Sequence, residues 1–325
     1  MALFDVGRQD VKNSKLLIDR FIVPPFSVFD ARQGYWQTRK KSWIGVGIKS
    51  ELGRDSKLTR NLGCYNYEDE KLRLQELKEF GESKLEEKSE QTSIFDPVLC
   101  EVLYRWFTRV GDDILDPFAG GSVRGIVAGA LQRYYTGIDL SERQIKANIE
   151  NYKEIDSRMS GIIEPTWIVG DSLKVTEELK GMYDFIFSCP PYFNLEVYSD
   201  DPNDLSNMKS YEDFLLFYNR IIHNCCELLN DDCFAVFVVG NIRDLKTGGY
   251  YDLAGDTVRA FTKEGLLFYN DALLLNAVGT LSIRAPRQFN VSRKLGKQHQ
   301  NVLCFYKGDQ KNIKTKFGKV EEGLV

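Results

Sequence analysis

Residues 112–125 read Asp112-Asp113-Ile114-Leu115-Asp116-Pro117-Phe118-Ala119-Gly120-Gly121-Ser122-Val123-Arg124-Gly125, and this stretch decides the fold. Ile114 and Leu115 suit a buried strand, which Asp116-Pro117 ends because proline cannot donate to a ladder. Phe118 to Gly121 make a glycine-containing turn. From Val123 the pattern is helical, through Ile126, Val127, Ala128, Ala130 and Leu131. Strand, glycine turn and helix in that order make the place where an α/β sheet holds a nucleotide-like ligand, since glycine lets a ligand approach the backbone without a Cβ in the way. A phosphate loop would offer a lysine or free N–H groups to an anion. Here Asp116 stands at the mouth and Pro117 removes a donor, so the expected ligand end is cationic, an ammonium or a sulfonium. Taken alone, the stretch also fits an ordinary strand-to-helix turn.

Working outward, strands and helices alternate. Asp96-Pro97 opens a helix through Phe107, with Val98, Leu99, Val102 and Leu103 at helical spacing. Tyr134 to Leu140 is a second strand ending in Asp139, about twenty residues past the glycine turn, where a carboxylate accepts ribose hydroxyls in nucleotide folds. Ser141 caps the next helix. Trp167 to Ser172 is a third strand with Asp171 at its carboxyl end, and Tyr183 to Phe187 a fourth, running into Ser188-Cys189-Pro190-Pro191-Tyr192. An amphipathic helix over 210–229 precedes the apolar run Cys233 to Asn241, the mark of a strand covered on both faces. A helix over 253–261 follows. Leu273–Val278 and Val302–Tyr306 supply the last two strands, with a long basic loop between them. This is a doubly wound, mostly parallel sheet, and Asp116, Asp139 and Asp171, at successive strand ends, face one crevice.

The bulk numbers limit the function classes. With 325 residues the chain can form one large α/β domain with additions. No apolar run is long enough to span a membrane and no signal-peptide pattern is present, so a cytoplasmic protein is expected. Seven cysteines without a Cys-x-x-Cys pair, and only two histidines, point away from a zinc site or a disulfide framework. The net charge of −4 does not announce a nucleic-acid binder, but the charge is unevenly spread. Residues 284–319 contain Arg284, Arg287, Arg293, Lys294, Lys297 and five further lysines against the single acid Asp309. A second cluster is Arg32, Arg39, Lys40 and Lys41, interleaved with Trp36 and Trp43. It fits equally a surface that stacks on bases and neutralises phosphates, or a small cap anchored by the tryptophans with its charges in solvent. Residues 67–91 are charge-dense and suit an exposed helix or a flexible connector.

The two anchor segments together resemble a known family. Asp116-Pro117-Phe118-Ala119-Gly120-Gly121-Ser122 looks like the S-adenosylmethionine-binding motif of DNA amino-methyltransferases, and Cys189-Pro190-Pro191-Tyr192 like their catalytic (Asp/Asn/Ser)-Pro-Pro-(Tyr/Phe) motif. The resemblance covers roughly residues 93–307 and carries a phage- or prophage-like character. It implies a class I, Rossmann-like, seven-stranded methyltransferase sheet over residues 92–308; outside it lie an N-terminal extension over 1–91, a candidate DNA contact with its charged connector 67–91, and a basic, flexible tail over 309–325. It implies S-adenosylmethionine held by Phe95, Asp96 and Pro97, by the turn from Asp116 to Ser122, by Asp139 and Leu140, and by Gly170, Asp171 and Ser172. Catalysis would fall to Cys189, Pro190, Pro191 and Tyr192, helped by Ser188. Double-stranded DNA would be gripped by Arg39, Lys40, Lys41, Arg284, Arg287, Arg293 and Lys294.

Two departures from that pattern matter. Cys189 stands where an acid, amide or hydroxyl is usual, and a thiol is a weak acceptor. The reaction implied is methyl transfer to an exocyclic amine of a flipped base, adenine N6 ahead of cytosine N4. The alternatives are C5 methylation of a pyrimidine through Cys189 as nucleophile, or a catalytically silent DNA-binding module. The second departure is Val123-Arg124 in place of Gly-Thr, with Arg124 expected on the outward face of its helix.

Overall fold

The computed structural model describes residues 17–49, 52, 95–159, 161–193, 201, 203–244, 246–279 and 281–320. The charge-dense segment 67–91 lies outside the described residues. The strands are β1 (Val28–Asp30), β2 (Asp113–Asp116), β3 (Tyr134–Asp139), β4 (Thr166–Val169), β5 (Tyr183–Ser188), β6 (Leu229–Val239), β7 (Ile242–Arg243), β8 (Tyr250–Tyr251), β9 (Leu267–Leu275) and β10 (His299–Lys307). The α-helices are α1 (Leu17–Phe21), α2 (Gly34–Gly45), α3 (Pro97–Phe107), α4 (Val123–Ala130), α5 (Glu142–Asp156), α6 (Ser172–Glu178), α7 (Tyr211–Leu228), α8 (Leu253–Lys263), α9 (Leu281–Ser292) and α10 (Ile313–Phe317).

Among the described residues, eight strands form one sheet in the order β1-β9-β10-β6-β5-β2-β3-β4, while β7 and β8 pair as a separate hairpin. β2 runs parallel to both β3 and β5, and β5 parallel to β6. Only β10 is antiparallel to its neighbours, β6 and β9. The fold is therefore the doubly wound, mostly parallel, Rossmann-like sheet expected. Its eighth strand comes from the N-terminal segment, where Val28 pairs with Leu273 and Asp30 with Leu275 at the edge.

Side chains alternate across the strands, so the sheet divides two cores. Ile114, Phe185, Phe187 and Val236 face one side, under Val98 and Leu103 of α3 and Ile126 of α4. Leu115, Ile186, Ala235 and Phe237 face the other, under Phe214 and Tyr218 of α7 and Phe261 of α8. The carboxyl ends of β2 to β5 lie at one edge, and the strand order reverses between β3-β2 and β5-β6, the switch point at which such sheets hold ligands.

The described part of the N-terminal segment packs on this framework. Trp36 and Trp43 are buried, which makes them the anchors of a cap rather than a stacking surface. The partner of Trp43 is Glu101 of α3, a fully buried carboxylate. It accepts from Arg39 Nε at 2.6 Å, Trp43 Nε1 at 2.8 Å and Arg105 Nε at 3.1 Å. Burial works to raise the pKa of Glu101, and the Arg39 bond with its charge overcomes that and holds the carboxyl ionised. At the other terminus, residues 310–317 form helical turns rather than a free tail. Phe317 sits 5.3 Å from the Phe234 ring and Lys316 Nζ donates to the Asp231 carbonyl. No helix among the described residues is long and apolar enough to cross a membrane.

The basic stretch between the last two strands is a helix, not the loop expected. α9 runs through Pro286, whose missing N–H and restricted φ speak against a helix interior in sequence.

Candidate active site

Asp116 is the centre of the site, in a role other than the one expected. It is fully buried and its carboxylate is saturated. Oδ1 accepts from the Phe118 N–H at 3.1 Å and from Ser188 Oγ at 2.6 Å; Oδ2 accepts from Tyr135 Oη at 2.7 Å and from Arg124 Nε. No lone pair is left for a cationic ligand end. A carboxylate drawn out of water at the end of a central strand must be paired, and Arg124 supplies the countercharge.

Arg124 corrects a second expectation. It points inward and is buried, with Nη2 donating to the Phe118 carbonyl at 2.6 Å and to the Ala119 carbonyl at 2.9 Å. Burial works to lower its pKa; the Asp116 carboxylate, with Tyr135 and Cys189 alongside, outweighs that and raises it. Its guanidinium stacks 4.6 Å from the Phe95 ring. Phe95 thus covers the ion pair and also meets Phe187 edge-on. Tyr135 reaches Asp116 because β3 has Gly137 two residues on; a Cβ there would lie 2.6 Å from the Tyr135 ring.

The turn itself faces the crevice through Gly120, in a left-handed conformation at φ +52° with open space where a Cβ would stand. Its N–H donates to Asp139 Oδ2 at 2.9 Å, and its carbonyl accepts from Asn148 Nδ2 at 2.7 Å. Asp139 Oδ1 accepts from the Ser141 N–H at 2.8 Å. Asp139 is partly exposed as a residue, but its carboxyl is enclosed. Burial pushes its pKa up to about 6 against those two N–H bonds, with the charges of Asp116 and Asp204 adding to the rise. Asp171 caps α6 by accepting from the Leu173 N–H at 3.0 Å, and Ser172 donates to the Pro117 carbonyl. Gly121, Leu140 and Gly170 are partly exposed around these groups. Ser122 turns away; it is buried and donates to Asn151 at 2.8 Å. Pro117 and Ala119 are buried beneath the turn.

The second segment lies at the neighbouring strand end. Ser188 is buried and its hydroxyl donates to Asp116, which leaves its oxygen lone pairs as acceptors. Cys189 is partly exposed, with Sγ 3.7 Å from Tyr192 Oη; Gln300 Nε2 of β10 donates to that hydroxyl at 2.6 Å. Pro190 is buried, Pro191 and Tyr192 partly exposed, and Phe193 is held at φ +40° among Tyr211, Phe214 and Tyr251.

Of the upstream residues, Asp96 caps α3 at the Val98 N–H (2.9 Å) and accepts from Trp36 Nε1 at 3.2 Å and Lys40 Nζ at 3.0 Å. Pro97 is buried. Arg39 and Lys40 are consequently tied to Glu101 and Asp96 rather than presented to phosphates, while Lys41 is exposed. Arg287 and Arg293 are exposed on and beyond α9, and Lys294 is partly exposed. Of Arg284 only the place in α9 is described. Sequence reasoning missed Tyr135, Asn148, Gln300 and Asp204. Tyr135 carried a faint signal, since it shares the inward alternation of β3 with Gly137.

The sequence matches no protein-family model and no curated protein. Among solved structures, TrmN of Thermus thermophilus gives a TM-score of 0.44 at 16% identity, covering 66% of this chain and 49% of that one. A candidate DNA modification methylase, also of Thermus thermophilus, gives 0.33 at 18% identity, covering 43% and 51%. A methyltransferase of Pyrococcus furiosus gives 0.41 at 15% identity, covering 75% and 100%. The chain spans about half the length of the first two. At these identities and scores the likeness says nothing of substrate or activity.

Proposed function

We propose that the protein is an S-adenosylmethionine-dependent methyltransferase acting on an exocyclic amine of a flipped base in double-stranded DNA, adenine N6 ahead of cytosine N4. One observation carries the reading. Ser188, at the head of Cys189-Pro190-Pro191-Tyr192, donates to Asp116, at the head of the glycine turn, so the two motifs of the resemblance are joined across the switch point.

The residues present fit the cofactor at its ribose end and depart from it elsewhere. Asp139 is an enclosed carboxylate with two backbone donors and lone pairs remaining for a diol, and Gly120 leaves its approach open. Asp116 does not fit an ammonium, and Arg124 already occupies the Phe118 and Ala119 carbonyls. When bound, the cofactor would supply an electrophilic methyl group. On the base side, the Pro190 carbonyl accepts from the target amine, Tyr192 stacks on the ring, and catalysis is positional and electrostatic rather than covalent.

Transfer of tritium from labelled S-adenosylmethionine to plasmid DNA, followed by mass spectrometry of the nucleosides, tests the reading. N6-methyladenine or N4-methylcytosine is expected, and Cys189→Ala should slow the transfer without abolishing it. A C5-methylcytosine product lost completely in Cys189→Ala would replace this reading with nucleophilic attack by Cys189. Label absent from DNA would refute methyl transfer to it.

A further inference from the structure

The β9–β10 connection combines two features that a solvated loop does not need. Between Asp271 and Asp309 the chain has no acidic residue, while Arg284, Arg287, Arg293, Lys294 and Lys297 fall within or just beyond α9. Within this cationic segment, apolar side chains stand in solvent: Ile283 is 75% exposed, Val291 84% and Leu295 72%. Ile283, Arg287 and Val291 recur every fourth residue, so they form one row along the helix, apolar, cationic, apolar. A helix with that face outward lacks the polar surface that solvent favours.

Topology puts this row beside the base-gripping turn. β9 ends at Leu275 opposite His299, and Asn301 pairs with Val239, the last residue of β6, so the connection emerges at the crevice edge. Gln300 reaches Tyr192 from the start of β10, and Lys297 Nζ donates to the Asn241 carbonyl at 3.0 Å. Lys294 Nζ lies close to Gly248 in the hairpin turn between β7 and β8, 3.3 Å from where a Cβ would be.

From this arrangement we infer that α9 is a wedge for duplex DNA: Ile283 and Val291 enter the base stack next to the target and hold the gap from which the base has left, while Arg287, Arg293 and Lys294 meet the flanking phosphates. The inference rests on the DNA methyl-transfer reading above. Apolar side chains inserted at a base step unstack it, and the cations offset the cost by neutralising the backbone on either side. The charge of the segment selects a polyanion over an apolar protein partner. Nothing in this requires the wedge once strands are apart, because a base in a single strand is already accessible.

The test uses the full-length protein, labelled S-adenosylmethionine and one plasmid offered both as duplex and as heat-denatured strands. Ile283→Ser/Val291→Ser is expected to lose at least about tenfold in initial rate on the duplex and to stay within about twofold of wild type on the denatured strands. Both positions are solvent-exposed, so the fold is not at stake. Leu216→Ser, on α7 and 67% exposed, serves as the control and should match wild type on both substrates. Equal loss on both substrates, full activity on the duplex, or a wild type active on the duplex alone would overturn the wedge. A wild type that labels neither substrate would overturn the methyl-transfer reading beneath it.

Discussion

Asp139 gives the sharpest test of the ligand site. Its pKa is pushed up to about 6, chiefly by burial. The carboxylate that would accept the ribose hydroxyls is therefore half protonated near pH 6 and, being an acid, is ionised above it. If binding needs the ionised form, the dissociation constant for S-adenosylhomocysteine grows as the carboxyl takes up its proton, about twofold at pH 6 and about tenfold at pH 5 relative to pH 8. Isothermal titration at these three pH values measures this directly. Asp139→Asn should bind more weakly throughout and show no such slope. The same group acts on stability with the opposite sense from most carboxylates. Its folded pKa lies above the unfolded 3.8, so the folded state holds the proton more tightly, and stability is lost as pH rises from about 4 to about 6. Over that window wild type should fall by roughly 3 kcal/mol relative to Asp139→Asn, read from urea midpoints. Binding equally tight at pH 5 and pH 8, or a pH slope that survives in Asp139→Asn, would refute the assignment of this carboxylate to the ligand.

Two further substitutions probe the buried centre. Arg124→Met leaves Asp116 charged without its countercharge, and should cost roughly 3–5 kcal/mol in urea denaturation; the double variant Arg124→Met/Asp116→Asn should recover part of that loss. Ser188→Ala removes one of four donors to Asp116 and should cost about 1–3 kcal/mol of stability. Methyl transfer should persist in that variant if the hydroxyl serves the carboxylate alone; transfer lost beyond the loss of stability would give Ser188 a part in holding the target amine.

Most of the framework was legible because burial on two faces leaves a plain record. Continuous apolar runs such as Cys233 to Val239 and the spacing of Val98, Leu99, Val102 and Leu103 admit few arrangements. That the glycine turn and Cys189-Pro190-Pro191-Tyr192 lie side by side follows from strand order. What escaped depends on direction rather than spacing. Arg124 has the same helical period whether it points to solvent or to Asp116, and only the unmet charge of a buried acid decides between them. Arg39 and Lys40 looked like phosphate ligands because Glu101 and Asp96, their partners, lie more than fifty residues along the chain. Pro286 made a loop the natural expectation for residues that form α9.

The four donors to Asp116 come from β3, β5, α4 and the turn itself, so one carboxylate works as a keystone between the two halves of the crevice. On the methyl-transfer reading proposed above, the spacing between the sites for methyl donor and acceptor is set when the chain folds, before either guest arrives. Drift in specificity then has to be accommodated at the periphery, in α9 and past Tyr192, while the middle stays rigid.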